Sequence, residues 1–152
     1  MDANSGTNVT PEISSGGTCN SYLVRRVDRH LNAVYDRALA GTGIRTTQFS
    51  VLRALALEGE SRISTLAATL GMDRSTLSAN VKPLVRAGLI EVTEASDRRA
   101  RDVRITEAGR TTLEGAMPAW IAVQESFESA MGHESARALR KLLAGTLTWD
   151  GA

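Results

Sequence analysis

The chain has 152 residues, 42% of them hydrophobic, which suits one domain with a real core or one domain with helical extensions. Its 18 Lys and Arg against 17 Asp and Glu leave a net charge of +1, so any polyanion must be met by a local patch rather than by bulk charge. One cysteine excludes an internal disulfide and fits a reducing cytoplasm, and no apolar run approaches the ~18 residues of a membrane span.

Residues 1–18 are rich in Ser, Thr, Gly and Asn, with neither the basic start nor the apolar core of a secretory signal, and are expected to form a flexible tail. A helix is predicted from Asn20 to about Ala40. Leu23, Val27, His30, Leu31, Val34, Ala38 and Leu39 form its apolar stripe, and Gly41-Thr42-Gly43 breaks it. Thr46 is expected to cap the next helix, Thr47 to Leu57, with Phe49, Leu52, Leu55 and Ala56 facing inward.

A short helix from Ser64 to Leu70 stops at Gly71, and Asp73 stands where the following helix needs an N-cap. On that following helix Leu77, Val81, Leu84 and Val85 share one face. Arg74, Ser75, Ser78, Ala79, Lys82 and Arg86 share the other. Gly88 ends it. Two alternating strands, Leu89 to Thr93 and Asp102 to Ile105, flank an arginine-rich tip at Ser96-Asp97-Arg98-Arg99-Ala100-Arg101. Helix, glycine turn, helix and charged hairpin together read as a winged helix-turn-helix.

Thr106 caps a long helix to about Met131, with Leu113, Met117, Trp120, Ile121, Gln124, Phe127 and Met131 inward and a kink expected at Pro118. A last helix from Glu134 to Leu147 carries Ala136, Leu139, Leu142, Leu143 and Leu147. The first and last two helices hold more apolar stripe than a compact winged domain requires, and packing against a twin is the simplest way to keep it from water. The predicted fold is mainly α with a small β-hairpin. Residues 45–106 form the winged helix-turn-helix, and residues 19–44 and 107–152 a helical dimerisation region.

From Arg62 to Arg104 bases outnumber acids, while the balance reverses towards the C-terminus. Within the positive segment, Ser75, Thr76 and Ser78 are short hydroxyls at a helix start, suited to phosphate or base edges. Arg74 and Lys82 reach further. Arg99 suits a narrow minor groove, with Asp97 placed to hold its guanidinium, and Arg98 and Arg101 suit backbone phosphates.

Five stretches, in this order and spacing, resemble the MarR-type (multiple antibiotic resistance regulator) family of bacterial transcription factors. They are Thr46 to Leu55, Ile63 to Ala67, Met72 to Leu84, Gly88 to Ile90, and Asp97-Arg98-Arg99 followed by Val103 to Gly109. The resemblance runs from about Asn20 onward. It implies a homodimer through interlocked terminal helices, with the second helix of the motif in the major groove of double-stranded DNA and the hairpin tip in the minor groove. Pro83 departs from a regular helix by removing a hydrogen bond to the Ala79 carbonyl.

The resemblance also implies release of DNA by a small aromatic or phenolic effector bound between the arms and the reading lobe. His30, Tyr35, Phe49 and Trp120 are the candidate lining, with Arg26 or Arg53 as charge partner; taken singly, each suits a plain core role better. A hydroperoxide-sensing branch carries a reactive cysteine near the start of its first helix, paired with tyrosines. Cys19, Tyr22 and Tyr35 match it in kind, but the Cys19–Tyr35 spacing is about two residues longer, which turns the thiol to another helix face.

Two other classes compete. An enzyme is disfavoured: His30 and His133 lie on different helices, and no metal-ligand cluster, nucleophile motif or glycine-rich phosphate loop is present, so no metal or cofactor is expected. A winged helix used for protein contact does not need arginines at the hairpin tip or hydroxyls along the second helix.

Overall fold

The computed structural model describes residues 19–94 and 101–151. The expected tail and the hairpin-tip residues Asp97, Arg98 and Arg99 lie outside the described residues. Helix α1 spans Asn20–Leu39 and passes through a single 3-10 turn, Ala40–Thr42, into α2, Thr46–Glu58. Strand β1, Ser61–Arg62, leads into α3, Ile63–Thr69, and α4, Arg74–Arg86. Strands β2, Ile90–Glu94, and β3, Arg101–Ile105, precede α5, Glu107–Met131, and α6, His133–Thr146. This is the winged helix-turn-helix between helical arms that the periodicity predicts.

The sheet has three antiparallel strands, with β3 between β1 and β2. Its register places Val92 opposite Val103 and Ile90 opposite Ile105. Ile90, Val103 and Ile105 are buried, so one face of the wing sheet closes the core. Strand β1 has no alternating run of its own. Its pairing of Ser61 with Val103 comes from the return of the chain and not from a local signal.

Helix α2 is the centre of the core. Phe49, Val51, Leu52, Ala54 and Leu55 are all buried, on more than one side of the helix. Val51 and Ala54 were not expected inside; they are covered because α1, α4, α5 and β3 all pack on α2. Leu66 and Ala67 of α3, Leu77, Val81 and Leu84 of α4, and Leu113 and Ala116 of α5 complete the core.

The cap of α2 is corrected from Thr46 to Arg45. The Arg45 N–H donates to Gln48 Oε1 at 2.9 Å, while the Thr46 N–H is taken by Asp36 Oδ1 of α1 at 2.8 Å. The Thr46 hydroxyl is left buried without a hydrogen-bond partner among the described residues. Thr46→Val exchanges that hydroxyl for a methyl of similar shape. It is expected to stabilise the protein by about 1 kcal/mol, a rise in Tm of roughly 2–4 °C in a thermal melt. A fall in Tm would mean that the hydroxyl is satisfied.

The terminal helices depart from their expected burial. Leu39 is the buried residue of α1 and Ala136 that of α6. Tyr22, Leu23, Val24 and Val27 of α1, Ile121 and Met131 of α5, and Leu142 and Leu143 of α6 are exposed. Leu147 and Trp149, just past α6, are 87% and 72% exposed. Val85 of α4, expected on the same face as Leu77, Val81 and Leu84, is also exposed, although its neighbour Leu84 is buried. Helix α5 continues through Pro118 without interruption.

Candidate nucleic-acid interface

Local chemistry builds the helix-turn-helix. After α3, Gly71 adopts a left-handed φ of 61°. Its N–H donates to the Ala68 carbonyl and the Met72 N–H to the Ala67 carbonyl, so the free carbonyls of the last turn are satisfied while the chain reverses. The same pair of bonds ends α4, from Gly88 to Val85 and from Leu89 to Leu84. At the start of α4 the Asp73 carboxylate accepts the Thr76 N–H at 2.8 Å and the Thr76 hydroxyl at 2.6 Å, the expected N-cap.

These two bonds, the hydroxyl's first, hold the Asp73 carboxyl below its usual pKa. The cap is therefore fully formed above the ordinary carboxylate range and is lost only as pH falls through the lowered value. They also change the reading of Thr76. Its hydroxyl hydrogen is committed to Asp73, so its role is to start the helix, and only its oxygen lone pair is open to DNA. Among the described residues the Ser75 and Ser78 hydroxyls have no such commitment.

Core burial of Leu77, Val81 and Leu84 turns the opposite side of α4 outward. Arg74, Ser75, Ala79, Lys82 and Arg86 are exposed there and Ser78 is half-buried. Arg74, Lys82 and Arg86 form no ion pair among the described residues.

The cations of the wing differ. Arg104 Nε donates to Glu91 Oε1 at 2.6 Å across the β2–β3 register, and that carboxylate raises the guanidinium pKa. Arg62 lies 4.0 Å from Asp102. Thr93 of β2 hydrogen-bonds Glu60 in the loop before β1, which ties the wing to the body. Arg101, at the start of β3, is exposed and forms no ion pair among the described residues. Sequence counting treated Arg62 and Arg104 as part of one positive patch; the strand register neutralises both.

The candidate effector residues separate into two places. His30 and Tyr35 line an open cleft of about 980 Å³ between α1 and α5, with Arg26 of α1 and Leu139 of α6 also in its lining. The Tyr35 hydroxyl accepts a hydrogen bond from Gln124, and burial holds the phenol above its ordinary pKa against the opposing field of Arg140. Phe49 and Trp120 instead stack on each other with centroids 5.8 Å apart, next to the core, and Arg53 lies 5.3 Å over the Trp120 ring. Phe49 and Trp120 are not among the residues that line the cleft of His30 and Tyr35.

Cys19 occupies the N-cap position of α1 and is exposed, with no capping hydrogen bond from its side chain. Among the described residues, no group of three or more His, Cys, Asp or Glu is placed to hold a metal, and no helix is long and apolar enough to cross a membrane.

Comparison with known proteins agrees with this geometry. A family model described as MarR family matches residues 42–100. No curated protein matches the chain. Among solved structures, the Mycobacterium tuberculosis transcriptional regulator MosR in complex with DNA is 35% identical, with a TM-score of 0.72, covering 86% of this chain and 99% of that one. A second structure of M. tuberculosis MosR is 32% identical, with a TM-score of 0.76, covering 89% and 100%. The transcriptional repressor CouR, bound to a 23-mer DNA duplex, is 25% identical, with a TM-score of 0.77, covering 90% and 97%.

Proposed function

The chain belongs to the MarR family of transcription regulators, and on that premise we propose that it binds operator DNA as a two-fold homodimer and represses transcription until a small ligand releases it. It is a regulator and not an enzyme. The observation that carries DNA binding is the outer face of α4, where Arg74, Lys82 and Arg86 are exposed and unpaired among the described residues while the wing arginines Arg62 and Arg104 are matched by carboxylates. Unpaired cations release counterions when they meet phosphate, whereas a cation already paired gains little. MosR with DNA, at 35% identity over nearly its whole length, supports the same reading.

In this reading α4 lies in the major groove with Arg74, Ser75, Ser78 and Lys82 towards DNA and Thr76 holding the helix start. The wing brings Asp97, Arg98, Arg99 and Arg101 to the adjacent backbone and minor groove. The exposed apolar residues of α1, α6 and the chain after it seat a second copy, since so large an apolar surface is unfavourable in water. Two reading helices related by that axis then meet half-sites ~34 Å, or ~10 bp, apart on a near-palindrome.

An aromatic or phenolic effector fits the cleft holding His30 and Tyr35 better than the Phe49–Trp120 pair, whose rings already stack on each other with Phe49 buried.

The test is a mobility-shift titration on DNA upstream of the protein's own and neighbouring genes. A steep fall of affinity with salt is expected, together with release by one of a panel of aromatic acids. A flat salt dependence favours a protein-contact role for the winged helix. Release by peroxide in the wild type but not in Cys19→Ser would replace the effector with a thiol switch.

A further inference from the structure

Asn80 lies in the middle of the reading helix, where asparagine competes poorly with ordinary helix formers. On a DNA-reading helix it invites assignment as an adenine contact. Its hydrogen bonds point elsewhere. Asn80 Nδ2 donates to the Thr76 carbonyl at 2.9 Å, and Asn80 Oδ1 accepts from the Thr47 hydroxyl of α2 at 2.6 Å. A carbonyl can only accept, so the bond to Thr76 fixes which end of the amide faces Thr47. Both Thr47 and Asn80 are half-buried.

The neighbouring residue carries the chain of contacts on. The Thr46 N–H, at the start of α2, is held by Asp36 of α1 at 2.8 Å. Two consecutive residues, Thr46 and Thr47, thus join the first turn of α2 to the arm on one side and to the reading helix on the other. The apolar contacts of Leu77, Val81 and Leu84 hold α4 on the core, but the attraction of apolar surface has no direction of its own. A hydrogen bond does, and it is sensitive to rotation of the helix about its axis.

We propose that the Thr47–Asn80 hydrogen bond is a positioning contact that sets the rotation of the reading helix relative to the arm, with the Asp36–Thr46 bond as its anchor, and so sets the operator half-site spacing. Asn80 acts through Thr47 and not through a base. The proposal rests on the DNA-binding reading above. The shape-conserving change Thr47→Val removes the hydroxyl and leaves the fold intact, as a far-UV circular dichroism melt would record.

The experiment selects duplexes from randomised DNA with the full-length wild-type protein. The selected half-sites are then separated or brought closer by one base pair. Thr47→Val and Asn80→Ala are each expected to lose up to about tenfold in affinity at the selected spacing, the scale of one hydrogen bond. Both should discriminate less between spacings and keep the wild-type base preference. The double variant should be no worse than either single one, and Thr47→Ser should restore wild-type behaviour.

A purely structural role lowers the melting temperature without altering the spacing preference, and that result overturns the proposal. So does an Asn80→Ala protein that changes base preference while Thr47→Val does not, since Asn80 is then a base reader. If the wild type selects no duplex, both this proposal and the DNA-binding reading fall. If the wild type selects a duplex and Thr47→Val matches it at every spacing, only this proposal falls.

Discussion

Gly109→Ala is expected to lower Tm by roughly 10 °C, corresponding to about 3 kcal/mol or more, because among the described glycines only this one meets backbone at the position of an added Cβ. By sequence Gly109 is merely a poor helix residue near the start of a long helix. In the structure it is the point where α5 meets the wing. A Cβ there would overlap the Leu89 carbonyl oxygen and stand 2.8 Å from Ile105 Cγ1.

The obstacle at Leu89 is backbone and is itself tied down. The Thr106 N–H donates to the Leu89 carbonyl at 3.1 Å, and the Thr106 hydroxyl donates to the Gly88 carbonyl at 2.7 Å while accepting the Gly109 N–H at 3.1 Å. Relief therefore requires α5 to lift away from the end of the reading helix and the base of the wing together. Gly115, in the same helix, meets no atom within 4 Å of an added Cβ. Gly115→Ala is the control, expected to stabilise by up to ~1 kcal/mol through helix propensity alone. Equal effects from the two alanines would show that the close approach at Gly109 is not rigid.

Lys82→Ala and Arg99→Ala are expected to weaken DNA binding in different ways. Lys82 is a cation on the outer face of α4, unpaired among the described residues. Its loss should lower affinity evenly across sequences and reduce the slope of log K against log salt by ~1. Arg99, at the wing tip, is assigned by sequence to the minor groove. Its loss should cost about 10- to 100-fold, and more on sites with A·T-rich flanks than on G·C-rich ones. Arg104→Ala is the informative third variant. Its guanidinium is already bonded to Glu91, so the slope should stay at the wild-type value. A slope lowered as much by Arg104→Ala as by Lys82→Ala would falsify the division into paired and unpaired cations.

Much of the fold was legible because its signals are local. Asp73 before α4 and Thr106 before α5 each bond the N–H three residues ahead, and Gly71 ends the first helix of the motif by bonds within its own turn. Helical periodicity likewise placed Leu77, Val81 and Leu84 in the core. Where a local signal had a rival, it failed. Thr46 is a good capping residue, but its N–H is taken by Asp36, ten residues earlier on another helix, and the cap moves to Arg45. Periodicity also overstated the burial of the arms. It reports which face is apolar and not what covers it, so Leu23, Val27 and Leu142 belong to a stripe and are still exposed in one chain.

By itself, the sequence determined the order of the helices and of strands β2 and β3, the caps of α4 and α5, the family, and the outward set Arg74, Ser75, Ser78 and Lys82. Each of these depends on residues within about a helical turn of one another, or on motif order along the chain. Only the tertiary structure decided which polar groups answer each other. It pairs Asn80 with Thr47 across 33 residues and Tyr35 with Gln124 across 89. It also cancels Arg104 with Glu91, divides His30 and Tyr35 from Phe49 and Trp120, and leaves Gly109 no room for a side chain. Propensity and periodicity act over a few residues, whereas hydrogen-bond partners and close approaches are chosen by packing between elements far apart in the chain.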